Sequence, residues 1–186
     1  PIDYRLYKKY GYEHCYDEIE YKLNIEDLKQ FKIVGDFEKI SNNHINYMID
    51  IYNEFLLNAN GYVTRDKNYY ENLFKEIKCE NGHMYIHKEE NYEGYIIYFI
   101  MEDTMFVREM CYKNINSLKA MLKFIYNHNT QCKKVTIMAP VIDNIRYILP
   151  NLKTSEINIK PFMMGRVINL EKFLNTLSIE CNDLDG

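Results

Sequence analysis

Apolar and charged residues alternate over YDEIEYKL, with Ile19, Tyr21 and Leu23 on one side. That period of two predicts a strand with one wet face. A polar connector over 24–35 follows and ends at Gly35. From Asn43 the period lengthens. Ile45, Met48, Ile49, Tyr52, Phe55 and Leu56 recur at three- and four-residue steps behind possible caps at 41–43, which predicts an amphipathic helix ending near Gly61. A second helix is expected to open at Asp66 and to carry Tyr70, Leu73, Phe74 and Ile77 on one face. The segments HMYIHK, GYIIYFI and TMFVREMCY, with turn formers around 91–94, then read as three successive antiparallel strands. Ile115, Leu118, Met121, Leu122 and Ile125 form the buried stripe of a long helix that Asn114 or Asn116 can cap. The strand KKVTIMA follows, then a short helix around 142–149 cut off by Pro150, two last strands near 155–160 and 162–169, and a frayed tail. The predicted order is β-α-α-β-β-β-α-β-α-β-β, an α+β fold with a mixed, mainly antiparallel sheet flanked by helices.

Composition narrows what such a fold can do. In 186 residues, 47% hydrophobic content is enough to fill a core. The formal net charge is −4, with 23 Lys and Arg mixed among 27 Asp and Glu, so there is no basic stripe for a phosphate backbone and no polybasic membrane anchor. Neither nucleic acid nor membrane is expected as a partner, and the chain is read as cytoplasmic. Five scattered cysteines (Cys15, Cys79, Cys111, Cys132 and Cys181) contain no CxxC pair and are expected to be reduced and mostly buried. His83 and His87 lie four apart, but on a strand they share a side, and an exposed face is expected rather than a metal site. No metal is expected.

The predicted order of elements resembles the Gcn5-related N-acetyltransferase (GNAT) fold, and the opening LYKKYGYE makes the comparison more specific. It resembles the end-of-domain signature of these enzymes: an aromatic, two variable residues, then aromatic-Gly-aromatic, where a helix stops and the last hairpin begins. VREMCYKN, KKVTIMAP and PFMMGRVINLEKFL are similar to the second, GNAT-like domain of two-GNAT acetyltransferases of the enhanced-intracellular-survival (Eis) type. The resemblance implies three regions. Residues 1–35 would be the C-terminal tail of a first GNAT domain plus linker, residues 36–170 the second GNAT-like domain, and residues 171–186 the threshold of a sterol-carrier-like domain. The chain would then be the middle of a longer bacterial protein. Its partners would be the missing N-terminal and C-terminal domains and an amine substrate, with homo-oligomers possible because relatives often assemble.

The chemistry implied by the resemblance is acetyl transfer from acetyl-CoA to a primary amine. Tyr7 matches the tyrosine that protonates the departing thiolate in the family, and a phenol of pKa about 10 suits a thiol of about 8.5. The competing reading is a packing tyrosine, one of 18, with a solvated hydroxyl; Tyr10 and Tyr12 are assigned to packing around Gly11. Asn158 and Lys160 would stand nearest the wall of the amine-acceptor cleft, while Met163 and Met164 are expected in the core. Binding acetyl-CoA requires backbone N–H groups at a helix N-terminus and glycines that let a diphosphate approach. Here the connection reads KNINSLKA, and no glycine occurs between Gly94 and Gly165. This chain is therefore expected to bind no cofactor itself, acetyl-CoA being the cosubstrate of the parent enzyme. Glu109, on the strand where GNAT enzymes often keep a general base, is expected in a structural ion pair. The alternative function is a non-enzymatic GNAT-like binding or scaffold module.

Overall fold

The strand rich in β-branched and aromatic residues, GYIIYFI, lies near the middle of the sheet, as a segment buried on both faces should. The computed structural model describes residues 4–151 and 154–177. The elements are α1 (Tyr4–Lys8), β1 (Glu13–Asn24), β2 (Asp36–Lys39), α2 (Ile45–Phe55), α3 (Lys67–Cys79), β3 (His83–Lys88), β4 (Tyr92–Met101), β5 (Thr104–Tyr112), α4 (Ile115–Tyr126), β6 (Lys134–Pro140), α5 (Ile145–Ile148), β7 (Glu156–Gly165) and α6 (Leu170–Leu174). The chain divides into two units, one of residues 18–160 and one of residues 1–17 with 161–186.

In the larger unit the strand order is β2-β3-β4-β5-β6-β1-β7. Neighbours from β2 to β5 are antiparallel, β5 and β6 are parallel, and β6 and β1 are antiparallel. The expected α+β class, with a mainly antiparallel sheet and flanking helices, is what forms. Two cores result. One lies between the sheet and α4, where Leu118, Met121, Leu122 and Ile125 meet Ile19, Tyr21, Ile96 and Val107. The other packs Met48, Ile51, Tyr70, Leu73 and Ile77 of α2 and α3 on Ile86, Tyr95 and Ile97. The expected caps are present: Asp66 accepts from the Tyr69 N–H at 2.8 Å, and Asn114 from the Ser117 N–H at 2.9 Å.

Several expectations change. The connector over 24–35 is not simply polar, because a 3-10 turn over Ile25–Leu28 buries Ile25 and Leu28, and Phe31 is buried after it. Strand β2 was not predicted; it has four residues and pairs only with β3. Helix α2 stops at Phe55 rather than near Gly61, where φ is +75°, and the intervening residues turn back toward α3. The two expected last strands are one strand, β7. It runs through Pro161, and an edge position tolerates the missing N–H there.

In the smaller unit α1 ends before Gly11, whose φ of +76° turns the chain into β1, as the opening signature implies. No described residue of this unit is buried. Tyr10 is 61%, Phe162 58% and Ile168 90% exposed. Met163 is also exposed and Met164 only half-buried, so neither fills a core. Among the described residues no helix is long and apolar enough to cross a membrane.

Candidate functional site

Strands β5 and β6 pair only from Thr104–Val107 against Lys134–Ile137; beyond that the ladder ends. Side chains from β5 and β1 hold the segment that follows β6. The Tyr112 hydroxyl accepts the Asn144 N–H at 2.7 Å. The Asp143 carboxylate accepts from the Tyr21 hydroxyl at 2.9 and 3.1 Å and from the Ile145 N–H at 2.6 Å. Burial raises the Asp143 pKa above the ordinary carboxylate value, although those hydrogen bonds pull the other way. Tyr21 is raised by the same desolvation, and Tyr112 is pushed up to about 12, chiefly by burial. These groups act as a neutral and anionic clasp on the segment after β6.

Helix α4 starts immediately after β5. Its first-turn donor at Ser117 is taken by the Asn114 side chain, whose amide in turn donates to the Glu93 carboxylate at 2.9 Å. Gly94 lies beneath this turn, and a Cβ there would come within 2.6 Å of Ser117 Oγ. A diphosphate fits poorly at this helix start, because the Asn114 carboxamide already takes the Ser117 N–H and the Glu93 carboxylate stands beside it. Beside α4, a shallow depression of about 410 Å³ is lined by Phe31, Val34, Asn116 and Ile148, with Lys32 and Lys119 as its cations.

His87 departs from expectation. It is fully buried, not on an exposed face, with Nδ1 3.0 Å from Ser117 Oγ and Nε2 2.6 Å from the Val34 carbonyl. The carbonyl can only accept, so Nε2 carries the hydrogen and Nδ1 accepts from the serine. Alternation put His83 and His87 on one side, but the cover over that side comes from residues 34 and 117, which no local pattern announces. Among the described residues no group of three His, Cys, Asp or Glu could hold a metal ion.

Glu109 forms the expected ion pair, although not with the adjacent Arg108, which pairs with Glu76. Its partner is Arg65, with Nη1–Oε1 and Nη2–Oε2 both at 2.7 Å. The Tyr95 hydroxyl donates to Oε1 at 2.6 Å, and the guanidinium stacks 3.9 Å over the Tyr52 ring. Nothing in the sequence spacing links residues 65 and 109.

Asn158 and Lys160 are brought together on Glu20, whose carboxylate accepts from Lys160 Nζ at 2.6 Å and from Asn158 Nδ2 at 3.4 Å. The Lys160 hydrogen bond lowers the Glu20 pKa, while burial raises that of Glu18. The sequence reading passed over both. Tyr7 belongs to the smaller unit, sits on α1 partly exposed, and meets the Tyr12 ring edge-on at 5.8 Å. Arg166 Nη1 donates to the Tyr10 carbonyl at 2.5 Å and its side chain lies over Gly11. Of the cysteines, Cys111 and Cys132 are buried and Cys15 and Cys79 exposed, all as free thiols; Cys181 lies outside the described residues.

Residues 61–167 match a family described as "Acetyltransferase (GNAT) domain". No curated protein matches the chain. Among solved structures, a conserved protein from Enterococcus faecalis V583, described as a probable N-acyltransferase, is similar with a TM-score of 0.81 and 24% identity over 94% of this chain and 45% of its own. A GCN5-related N-acetyltransferase from Anabaena variabilis ATCC 29413 gives 0.72 and 23% over 88% and 44%. Eis1 from Mycobacterium abscessus gives 0.63 and 12% over 87% and 44%. At these identities the likeness is one of fold. The chain spans less than half the length of each of these proteins.

Proposed function

This chain belongs to the acetyltransferase (GNAT) family, and on that premise we propose that it is part of an Eis-like N-acetyltransferase whose acetyl-CoA is held outside these residues. The division proposed from the sequence stands with it: a first-domain tail over 1–35, a GNAT-like domain over 36–170, and the start of a third domain from 171. The observation that carries this reading is the start of α4, where the Asn114 carboxamide takes the Ser117 N–H and is itself held by Glu93, and where the Tyr112–Asn144 bond links the end of β5 to the segment after β6. Acetyl-CoA would supply the thioester elsewhere in the parent protein. Similarity to less than half of each related chain supports a longer parent. So does the smaller unit, where Tyr10, Phe162, Ile168 and Leu170 stay exposed and call for cover by further domains or another copy.

In this reading Tyr7 donates a proton to the departing thiolate, and the β1–β7 face contributes to the cleft for a primary amine in a cytoplasmic enzyme. A lysine alone would repel a cationic acceptor. Lys160 is neutralised by Glu20, and Glu18 adds a further carboxylate, so Glu18, Glu20, Asn158 and Lys160 together carry a net negative charge.

Calorimetric titration of the 186-residue chain with acetyl-CoA tests the first half: no saturable heat is expected, and micromolar binding overturns it. The second half is tested in the full-length parent. Tyr7→Phe should lower turnover by about tenfold or more, within the range of a lost general acid. Unchanged turnover favours the non-enzymatic scaffold.

A further inference from the structure

Arg65 is mostly enclosed by groups that belong to other elements. Glu109 stands on β5, Tyr95 on β4, Tyr52 on α2, and Tyr69 and Tyr70 on α3. Tyr95 already binds Glu109 at 2.6 Å, and the Tyr70 and Tyr95 hydroxyls lie 3.4 Å apart. Regular elements thus fix a carboxylate at the floor and aromatic rings as walls. The occupant comes from elsewhere, on the connector between α2 and α3, which contains no helix or strand. The connector is tied to the walls at its ends, where the Leu56 N–H donates to the Tyr52 carbonyl at 3.1 Å and the Tyr69 N–H to the Asp66 carboxylate at 2.8 Å, and between them where the Tyr52 hydroxyl donates to the Val63 carbonyl at 3.1 Å.

The geometry selects a flat, forked cation. Each Glu109 oxygen meets a different guanidinium nitrogen at 2.7 Å, while the cation's face lies 3.9 Å from the Tyr52 ring centroid and 4.8 Å from that of Tyr69. An ammonium has neither the second coplanar donor nor the flat face. Arg65 also fits incompletely, for its Nε is buried with no hydrogen-bond partner among the described residues. A guanidinium free of the backbone tether can turn that third edge toward an acceptor or water.

We propose that Glu109, Tyr95, Tyr52, Tyr69 and Tyr70 form a guanidinium-binding site, filled here by the chain's own Arg65, which accepts a second guanidinium when the connector swings out between its anchored ends at Leu56 and Asp66. The incoming group is an arginine side chain or a small guanidine. The proposal is independent of where acetyl-CoA binds.

The test uses Arg65→Ala and, as a second variant that spares the fold by keeping a cation beside Glu109, Arg65→Lys. Methylguanidinium should raise the melting temperature of either variant saturably, at concentrations where sodium chloride and tetramethylammonium chloride do nothing. Adding Glu109→Gln should weaken that binding at least about tenfold, as expected for loss of a paired charge-assisted hydrogen bond. In the wild-type chain, excess N-acetylarginine amide should speed hydrogen exchange at 57–66, and methylguanidinium should do so less if the natural ligand is a peptide arginine and equally if it is a small guanidine. No saturable response in either variant overturns the site. Binding by the variants with wild-type exchange unchanged at the highest ligand concentration overturns displacement of Arg65.

Discussion

Replacing Tyr21 by Phe removes one oxygen from a side chain that is fully buried, leaving ring packing intact. What is lost is the hydroxyl that donates to Asp143 at 2.9 and 3.1 Å. The carboxylate keeps the Ile145 N–H at 2.6 Å but loses its side-chain donor. A hydrogen bond to a charged, desolvated group contributes ~1.5–3 kcal/mol, so the variant should be less stable by about 2 kcal/mol near pH 7. The pH dependence separates this cause from a packing defect. Burial already raises the folded-state pKa of Asp143 above 3.8, and the Tyr21 bond is one of the influences that restrain it. Without Tyr21 the pKa climbs further. A group with a raised folded pKa binds its proton more tightly in the native state, so its contribution to stability is fully present below the unfolded pKa and is lost as pH rises through the folded pKa. Acidification toward about pH 4 must therefore help the variant more than the wild type, and the gap between them must narrow. Urea unfolding followed by circular dichroism at the two pH values measures it. A cost below ~0.5 kcal/mol, or an equal cost at both pH values, would refute the role given to this bond.

Gly94→Ala should lower the melting temperature by several degrees, because the new Cβ would meet Ser117 Oγ at 2.6 Å and the Cys111 carbonyl at 3.0 Å, an overpacking that costs ~1–3 kcal/mol. Arg65→Ala should cost about 3–5 kcal/mol, while Arg108→Ala, which breaks an exposed pair with Glu76, should cost less than about 1 kcal/mol; urea unfolding of both, with similar losses counting against the burial argument, checks this. Cys15 and Cys79 should react with a thiol reagent in the folded chain, while Cys111 and Cys132, buried and with pKa values raised by burial, should react only on unfolding; labelling followed by mass spectrometry decides it.

The parts of the fold that could be read in advance are those where local pattern and tertiary environment agree. Strands β3 to β5 and helix α4 announce themselves because one period runs through each, and Asp66 and Asn114 mark helix starts because capping is decided within three residues. Strand β2 is too short to show a period and exists because β3 offers it an edge. The fate of His87 depends on cover arriving from residues 34 and 117. The Arg65–Glu109 pair joins residues 44 apart through a connector of no regular structure, and the Glu20 cluster needs the register of β1 against β7. The sequence between Gly94 and Gly165 shows the lack of glycines but not Glu93, which reaches the Asn114 side chain from 21 residues away.

Asn114 and Glu93 matter because the start of a helix is a limited resource. The partial positive charge at the N-terminus of α4 extends over about one turn, and that turn faces the Asn114 carboxamide, itself held by Glu93. A diphosphate in place of the Asn114 carboxamide would stand beside the Glu93 carboxylate, which accepts from that carboxamide at 2.9 Å. At an effective dielectric constant of about 20, two like unit charges about 5 Å apart cost ~3 kcal/mol, which exceeds the ~0.3–1 kcal/mol a helix terminus typically returns. Neutralising Glu93 alone would not create a site, because the Ser117 N–H would still be bonded to Asn114 and the Cβ-free surface of Gly94 is already filled by Ser117 and Met121. On the proposed reading, giving this helix start to a diphosphate requires at least two coordinated changes, a glycine in place of Asn114 and the loss of Glu93. Either change by itself removes a cap, or the carboxylate that holds it, from the native fold without giving a phosphate anything to hold.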